Sequence, residues 1–114
     1  MGADGTGTIA FQDFEKLDIR MGRVAQAERV PGTDKLLKLV VELGDETRQL
    51  VAGIAEAYRP EDVVGKLVPV LVNLEPRTIR GVESQGMILC PSDREGRPVL
   101  LLPERDVPVG AKVR

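Results

Sequence analysis

Apolar and polar side chains alternate most regularly over residues 37–43, whose sequence is Leu-Lys-Leu-Val-Val-Glu-Leu. A period of two places every second side chain on the same face of a strand, so this segment predicts a half-buried β-strand. Gly44-Asp45 predicts a turn after it, and residues 47–54 predict the second strand of a hairpin.

Five further apolar runs predict strands. Residues 19–30 mix small and β-branched side chains around Gly22, which predicts a bulge or a sharp bend. Residues 66–74 carry Val and Leu on both faces, as is typical of a largely buried strand. Shorter runs occur at 86–90, 99–102 and 107–113.

Two short helical segments lie among these strands. Phe11, Phe14 and Leu17 recur at intervals of three, which predicts one or two helical turns against the domain. Residues 55–62 predict a short helical connection, interrupted at Pro60. Short strands, frequent turns and a helix between the third and fourth strands favour an all-β fold, an OB-fold five-stranded barrel with an N-terminal helical turn.

The length of 114 residues fits one domain. Residues 1–8 contain three glycines and predict a flexible leader without the features of a secretory signal, so we expect the domain to span residues 9–114. No apolar run approaches the ~20 residues that cross a bilayer, so no membrane contact is expected. Cys90 is the only cysteine, which favours a reducing, cytoplasmic location.

The sequence contains no histidine. This excludes His-dependent nucleophilic catalysis and His-ligated metal sites, and no glycine-rich phosphate loop follows a predicted strand. The carboxylates lie in polar stretches that are typical of a solvated face. We therefore predict a chain that is not an enzyme and holds no cofactor or metal. The net charge of −2 argues against coating of nucleic acid by bulk electrostatics but is compatible with a local basic face.

The aromatic residues Phe11, Phe14 and Tyr58 all lie outside the predicted strands. OB-fold proteins that bind single strands stack bases on aromatic side chains. Without such a platform, binding to nucleic acid would depend on charge, hydrogen bonds and shape, which is how structured RNA is recognised.

Residues 73–87 concentrate uncommon polar groups at the exit of a buried strand. They include the only asparagine, Asn73, together with Arg77 and Arg80. Arginine offers planar, bidentate donors to phosphate and stacks on unpaired bases, and amide side chains suit a base edge or a ribose 2′-hydroxyl. The same residues also fit a simple loop in which Asn73 bonds to the backbone and the arginines pair with neighbouring glutamates. Residue types alone leave both interpretations open.

Four segments resemble the tRNA-binding domain family. They are residues 18–24, 34–39, 51–54 and above all 73–90, Asn-Leu-Glu-Pro-Arg-Thr-Ile-Arg-Gly-Val-Glu-Ser-Gln-Gly-Met-Ile-Leu-Cys. The family includes the C-terminal module of many methionyl-tRNA synthetases, free-standing dimeric tRNA-binding proteins, the CsaA export chaperones and the endothelial monocyte-activating polypeptide module. The resemblance extends from about Phe11 to the C-terminus.

The resemblance implies an OB barrel with a short C-terminal β extension. It implies structure-specific, sequence-tolerant tRNA binding, either by a free-standing homodimer or by a module or partner of methionyl-tRNA synthetase. Residues 104–113 would form part of the dimer contact. The alternative within the same family is a chaperone of the CsaA type that binds unfolded polypeptide.

The resemblance also assigns an RNA-binding face by family position. Thr78 departs from the family pattern, because many members carry a lysine at this position. The binding face of this chain therefore has one cation fewer. From residue types alone, several of the assigned positions also fit structural roles as turn, core or solvated strand residues. The assigned positions are Lys35, Asn73, Arg77, Arg80, Ser84, Gln85 and Met87, with Lys38 and Arg48 as further candidates on neighbouring strands.

Overall fold

The computed structural model describes residues 7–114, so six of the eight residues of the expected leader lie outside the described part. Eight strands and two helices follow one another along residues 7–114. They are α1 (Phe11–Glu15), β1 (Ile19–Arg29), β2 (Leu37–Glu42), β3 (Thr47–Ala52), α2 (Pro60–Val63), β4 (Leu67–Leu71), β5 (Arg77–Ile79), β6 (Val82–Ser84), β7 (Met87–Ile88) and β8 (Lys112–Val113).

The main sheet is antiparallel and has the order β3-β2-β1-β4-β7, and β8 pairs with the first residues of β1. The sheet curls until the segment after β6 reaches β3, where the Gln85 N–H donates to the Gln49 carbonyl over 2.8 Å. The result is a nearly closed barrel of five strands with α2 between the third and the fourth. This confirms the all-β, OB-type fold and its C-terminal β extension.

The core lies inside the barrel and follows the periodicity of the sequence. Leu37, Leu39 and Val41 of β2 are fully buried, and the intervening side chains face outward. The first four residues of β4 are buried on both faces, as the unbroken apolar run predicted. Each such aliphatic side chain contributes about 1.5–3 kcal/mol when removed from water.

The irregularity predicted at Gly22 lies elsewhere in the same strand. The register between β1 and β2 shifts between Val24 and Gln26, so the predicted position of the bulge was wrong. Gly22 instead permits a close approach of the two strands, because a Cβ there would lie 2.4 Å from Cγ1 of Val41.

Two further elements differ from the prediction. Pro60 is the first residue of α2 rather than an interruption, since its fixed φ and missing N–H suit the first helical turn. The predicted strand at 99–102 is absent, and only an isolated bridge between Ser92 and Pro98 lies nearby. The N–H of Leu100 donates to the Tyr58 hydroxyl over 3.1 Å instead of to a neighbouring strand.

The other predicted elements are present but shorter. The strands predicted at 47–54 and 66–74 end at Ala52 and Leu71. The final run forms a strand only over Lys112–Val113. The helix predicted around Phe11 is confirmed, although none of its residues is buried.

Candidate nucleic-acid interface

A β-hairpin lies within residues 73–87, between the strands predicted at 66–74 and 86–90, where no further strand was predicted. Strands β5 and β6 pair antiparallel, and Arg80-Gly81 forms the two-residue turn between them. The φ angles of Arg80 and Gly81 are +54° and +81°, and two successive positive values are typical of a type I′ hairpin turn. An arginine adopts this conformation at a cost of about 1 kcal/mol, which glycine avoids.

The hairpin has two chemically different faces. Arg77 lies opposite Ser84 and Ile79 lies opposite Val82, so these side chains share the face that turns toward the barrel. The other pair of facing residues, at positions 78 and 83, lies on the outer face. The position where many family members carry a lysine, Thr78, is therefore on the opposite face from Arg77.

The inner face of the hairpin borders a groove of about 250 Å³ in the barrel wall, here called the barrel groove. Its lining is mostly apolar. The exposed lining residues are Gly53, Glu75, Arg77 and Met87, and the buried ones include Ile54 and Ile88.

A second depression, of about 430 Å³, brings Lys35 and Arg80 together. It lies between the hairpin turn and the connection from β1 to β2, and residues 32–36, Ile79 and Arg80 line it. The peptide at Lys35 is fixed because its carbonyl accepts the N–H of Ala55 over 3.0 Å. The long side chain of Lys35 is thus carried by a hydrogen-bonded backbone.

Three of the assigned cations, Lys35, Arg77 and Arg80, are called the hairpin cations below. All three are exposed. Within residues 7–114, their side chains make none of the ion pairs or hydrogen bonds found for the other charged groups. The pairing of the arginines with Glu75 and Glu83, which residue types had left open, is not formed within this part of the chain.

Ser84 has the opposite environment, since it is only 5% exposed. Its hydroxyl accepts the N–H of Val51 over 3.0 Å and donates to the carbonyl of Gly86 over 3.0 Å. The hydroxyl therefore joins the end of β6 to β3 and satisfies two backbone groups in a buried position.

A pair of glutamines continues this connection. The side-chain oxygen of Gln85 accepts the N–H of Gln49 over 3.1 Å, and the side-chain nitrogen of Gln49 donates to the carbonyl of Glu83 over 2.8 Å. Gln49 was not identified from the sequence, since a lone polar residue on a strand gives no sign of a partner 34 residues away.

Arg48 completes this set of bonds, which we call the support network (Arg48, Gln49, Ser84 and Gln85). Its guanidinium donates to the carbonyls of Val72 and Gln85, the latter over 3.2 Å. It also pairs with Glu46 over 2.9 Å, and this hydrogen bond holds the pKa of the Glu46 carboxyl below its ordinary value. The base of the hairpin is thus fastened to both β3 and the exit of β4.

The remaining candidate residues also include side chains that are bonded within the fold and one that is exposed. The amide of Asn73 accepts the N–H of Asp18 over 2.8 Å and donates to the carbonyl of Lys16 over 2.6 Å, which ties the chain before β1 to the exit of β4. Lys38 pairs with Glu28 on β1 over 3.3 Å. Met87 is 51% exposed at the edge of the barrel groove. The structure thus groups Lys35, Arg77, Arg80 and Met87 around the hairpin, and the other candidates already have partners.

The described residues hold neither a membrane-spanning helix nor a cluster of metal-binding side chains. No helix among residues 7–114 is long and apolar enough to cross a membrane. In the same part of the chain, no cluster of three His, Cys, Asp or Glu side chains could hold a metal ion.

Solved structures resemble this fold along nearly its whole length. The methionyl-tRNA synthetase-related protein of Pyrococcus horikoshii is 38% identical, with a TM-score of 0.90 over 96% of this chain and 100% of that one. The chaperone CsaA of Bacillus anthracis is 32% identical, with a TM-score of 0.86 over 95% of this chain and 100% of that one.

Proteins with similar sequences include methionine–tRNA ligases. The methionine–tRNA ligase of Archaeoglobus fulgidus is 54% identical over 92% of this chain and 16% of that protein, and the ligase of Methanocaldococcus jannaschii is 49% identical over 99% and 17%. The chain thus spans about a sixth of the length of these ligases. The family described as "Putative tRNA binding domain" matches residues 19–112. The chain belongs to the tRNA-binding domain family.

Proposed function

We propose that this domain binds folded tRNA by its shape, with little dependence on sequence, through the hairpin cations and the barrel groove. The observation that carries the proposal is the state of Lys35, Arg77 and Arg80, which are exposed and make no side-chain bond within residues 7–114. Such cations can neutralise RNA phosphates, and so release the counterions condensed on the RNA, without first breaking an internal ion pair. In a chain with a net charge of −2, they provide a local basic surface.

The support network makes this surface rigid before RNA arrives. The hairpin base is held by bonds from Ser84, Gln49 and Arg48, so its backbone loses little freedom on binding. Binding to an ordered surface costs less entropy than binding to a loop that must first be ordered. A fixed spacing of cations also favours RNA whose phosphates have a fixed spacing, which describes a folded tRNA better than an unstructured strand.

The aromatic side chains support recognition by shape as well. Phe11, Phe14 and Tyr58 lie outside the barrel strands, so successive bases of a single strand have no aromatic platform there. Contacts to phosphates and ribose hydroxyls carry little sequence information. The proposed mechanism is therefore binding alone, and no step of a reaction is assigned to this chain.

We further propose that two copies form a dimer that presents two such faces to one tRNA, with residues 104–113 in the contact. Apolar surface near both ends of the domain supports this proposal. Phe11 is 71% exposed and lies with Leu17 and Val113 around one depression, although exposed phenylalanine is unfavourable in water. Association with a methionyl-tRNA synthetase, by covalent linkage or as a partner, would raise the tRNA concentration near the enzyme.

Fluorescence anisotropy with a folded tRNA and an unstructured RNA of equal length tests the proposal. We expect the folded tRNA to bind more tightly at every salt concentration, and sedimentation to give twice the mass of the chain. Equal affinity for the two RNAs would contradict recognition by shape. A monomer that retains full tRNA affinity would remove the dimer from the proposal.

The barrel groove favours one second candidate, the binding of unfolded polypeptide. Its apolar lining and the similarity to the chaperone CsaA of Bacillus anthracis are the observations behind it. A chaperone would suppress the aggregation of an unfolded protein at a stoichiometric ratio. Such suppression without any tRNA binding would replace the first proposal with the second.

A further inference from the structure

The barrel groove is mostly apolar, although the proposed ligand carries one negative charge on every phosphate. Ile54 and Ile88 form part of its buried lining, and Met87 lies at its opening. Phosphate and ribose gain nothing from an apolar surface, whereas the face of a nucleobase does. The apolar lining therefore suits a nucleobase better than it suits a phosphate or a ribose.

The size of the groove points to a small, flat group. Its volume of about 250 Å³ lies below the ~300–1,000 Å³ of pockets that enclose drug-sized ligands. One nucleobase turned out of its stack needs a site of this scale, lined by apolar groups and a few polar ones at its edge.

Gly53 lines the groove, although neither its backbone conformation nor its packing requires a glycine there. Its φ lies outside the left-handed region, and a Cβ built there meets no other atom within 4 Å. Gly86, on the same groove, is required by the fold because its φ is +151° and a Cβ would lie 2.8 Å from the carbonyl oxygen of Leu71. The fold would therefore accommodate a larger side chain at position 53, and that side chain would lie at the groove.

Two exposed groups at the groove suit the faces of a base. The guanidinium of Arg77 is planar and has no partner in the described chain, so it is free to stack on a base or to reach the adjoining phosphate. The thioether of Met87 is polarizable and adapts to an aromatic surface. Both groups can pack against a base without help from an aromatic side chain of the protein.

Glu75 is the unexpected member of the lining. It is exposed and makes no ion pair or hydrogen bond within residues 7–114, and its carboxylate repels the phosphates of an RNA. A carboxylate is useful in such a place when it accepts hydrogen bonds from a base edge. Guanine presents two adjacent donors, its N1–H and its exocyclic amino group, which match the two carboxylate oxygens.

We propose that the barrel groove holds one unpaired nucleobase of the bound RNA, with guanine preferred, packed against Arg77 and Met87 and with its donor edge on Glu75. This inference rests on the proposed function and specifies what the groove contributes to it. Lys35 and Arg80 bind neighbouring phosphates, and the groove accepts the base.

NMR titration of the whole chain tests the groove directly. The ligands are guanosine 5′-monophosphate, uridine 5′-monophosphate and ribose 5-phosphate, which lacks a base. We expect the guanine nucleotide to shift the amide signals of Gly53, Gly86 and Met87 most, the uridine nucleotide to shift them less and ribose 5-phosphate to leave them in place. Equal shifts with ribose 5-phosphate would show a phosphate site and overturn the proposal. Equal shifts with both nucleotides would overturn the role of Glu75.

tRNA binding provides the second test, with Gly53→Leu to fill the groove and Met87→Ala to remove one wall. Both variants should bind folded tRNA about 10-fold more weakly, the scale of one lost base contact. Lys66→Ala is the control, because Lys66 is an exposed cation at the opposite end of β4 from the hairpin.

The outcomes separate the groove from the proposed function. Unchanged tRNA affinity of a folded Gly53→Leu variant would overturn the base site and leave shape-directed binding by the cations intact. A wild-type chain that binds no tRNA would end the proposed function, and the nucleotide titration would then decide the groove alone. An apolar peptide that shifts the groove signals when no nucleotide does would assign the groove to polypeptide.

Discussion

Arg48 and Arg77 belong to the same surface and have opposite environments. The guanidinium of Arg48 bonds to two backbone carbonyls and to Glu46, whereas Arg77 is exposed and has no partner among the described residues. One arginine stabilises the shape of the surface, and the other keeps its bonding capacity for a ligand. The comparison teaches that the function of a polar residue depends on which of its bonds the fold already uses.

The same division separates the support network from the hairpin cations as groups. The support network fastens the base of the hairpin to the barrel. Of the hairpin cations, Arg77 begins β5, Arg80 lies in the turn and Lys35 lies in the neighbouring connection. A fixed base and free cations together give a binding surface that is ordered in advance. If this division is correct, variants in the two groups will differ in kind, because one group will change stability and the other will change binding.

The largest change in stability is expected for Ser84→Ala. The substitution leaves the N–H of Val51 and the carbonyl of Gly86 without their partner in a buried place, which costs about 2 kcal/mol of unfolding free energy. Urea denaturation measures it. Ser92→Ala is a matched control because Ser92 is the only other serine and is exposed, so its loss should change stability by less than ~0.5 kcal/mol. Similar effects of the two substitutions would contradict a structural role for Ser84.

Arg80→Asn should change stability and binding in opposite directions. Asparagine tolerates the positive φ of the turn better than arginine, so we expect a gain of about 0.5–1 kcal/mol in unfolding free energy. The same substitution removes a hairpin cation and should weaken tRNA binding by roughly 5-fold. Thermal unfolding and anisotropy on the same samples measure both quantities. A gain in stability without a loss of affinity would show that Arg80 does not contact RNA.

A change in stability that depends on pH is expected for Asp18→Asn. Hydrogen bonds from Arg20 hold the pKa of Asp18 below its ordinary value of 3.8, and Lys112 on β8 adds to this effect. Because the carboxyl has its lowered pKa only in the folded state, it stabilises the fold above about pH 3.8, and this contribution is lost as the pH falls through the lowered pKa.

The variant should therefore be about 1 kcal/mol less stable at neutral pH, and the difference from the wild type should shrink below about pH 3.8. Urea denaturation at neutral and at acid pH measures it. The substitution also removes the carboxylate partner of Lys112, which is not one of the hairpin cations, and tRNA affinity should not rise as a result. A difference in stability that does not depend on pH would assign the effect to packing instead of charge.

Periodicity predicted the barrel well, because the strands that form it are governed by burial. The alternation over residues 37–43 and the unbroken apolar run before residue 72 both correspond to observed patterns of buried side chains. The run at 99–102 misled the prediction, since Leu101 and Leu102 are 45% and 53% exposed. An apolar run does not by itself show that the chain finds a neighbouring strand.

The hairpin of β5 and β6 was missed for a different reason. Each of its strands has only three residues, which is too short for a period to be recognised. Its turn is Arg80-Gly81, where Asn-Gly would have given a clear hairpin prediction. The departure from turn preference occurs at a residue that we assign to RNA binding.

The sequence selected the residues of the candidate site, but it could not show which of their side chains are bonded within the fold and which are free. The motif in residues 73–87 and the family resemblance selected the residues, whereas their partners lie far away along the chain. Ser84 bonds to a residue 33 positions away, and Asn73 to residues 55 and 57 positions away. Such distances are set by the folded barrel, so residue type and spacing could not distinguish a bonded side chain from a free one.

The salt dependence of tRNA affinity for Arg77→Ala/Arg80→Ala tests the central claim most directly. The control is Arg59→Ala/Lys66→Ala, which removes two exposed cations that flank α2 and changes the net charge equally. We predict that the hairpin variant loses about 30-fold in affinity, that its salt slope falls by about 0.7–0.9 for each lost phosphate contact, and that the control retains wild-type values. Equal losses in the two variants would show that net charge, and not the hairpin, governs binding and would contradict the account.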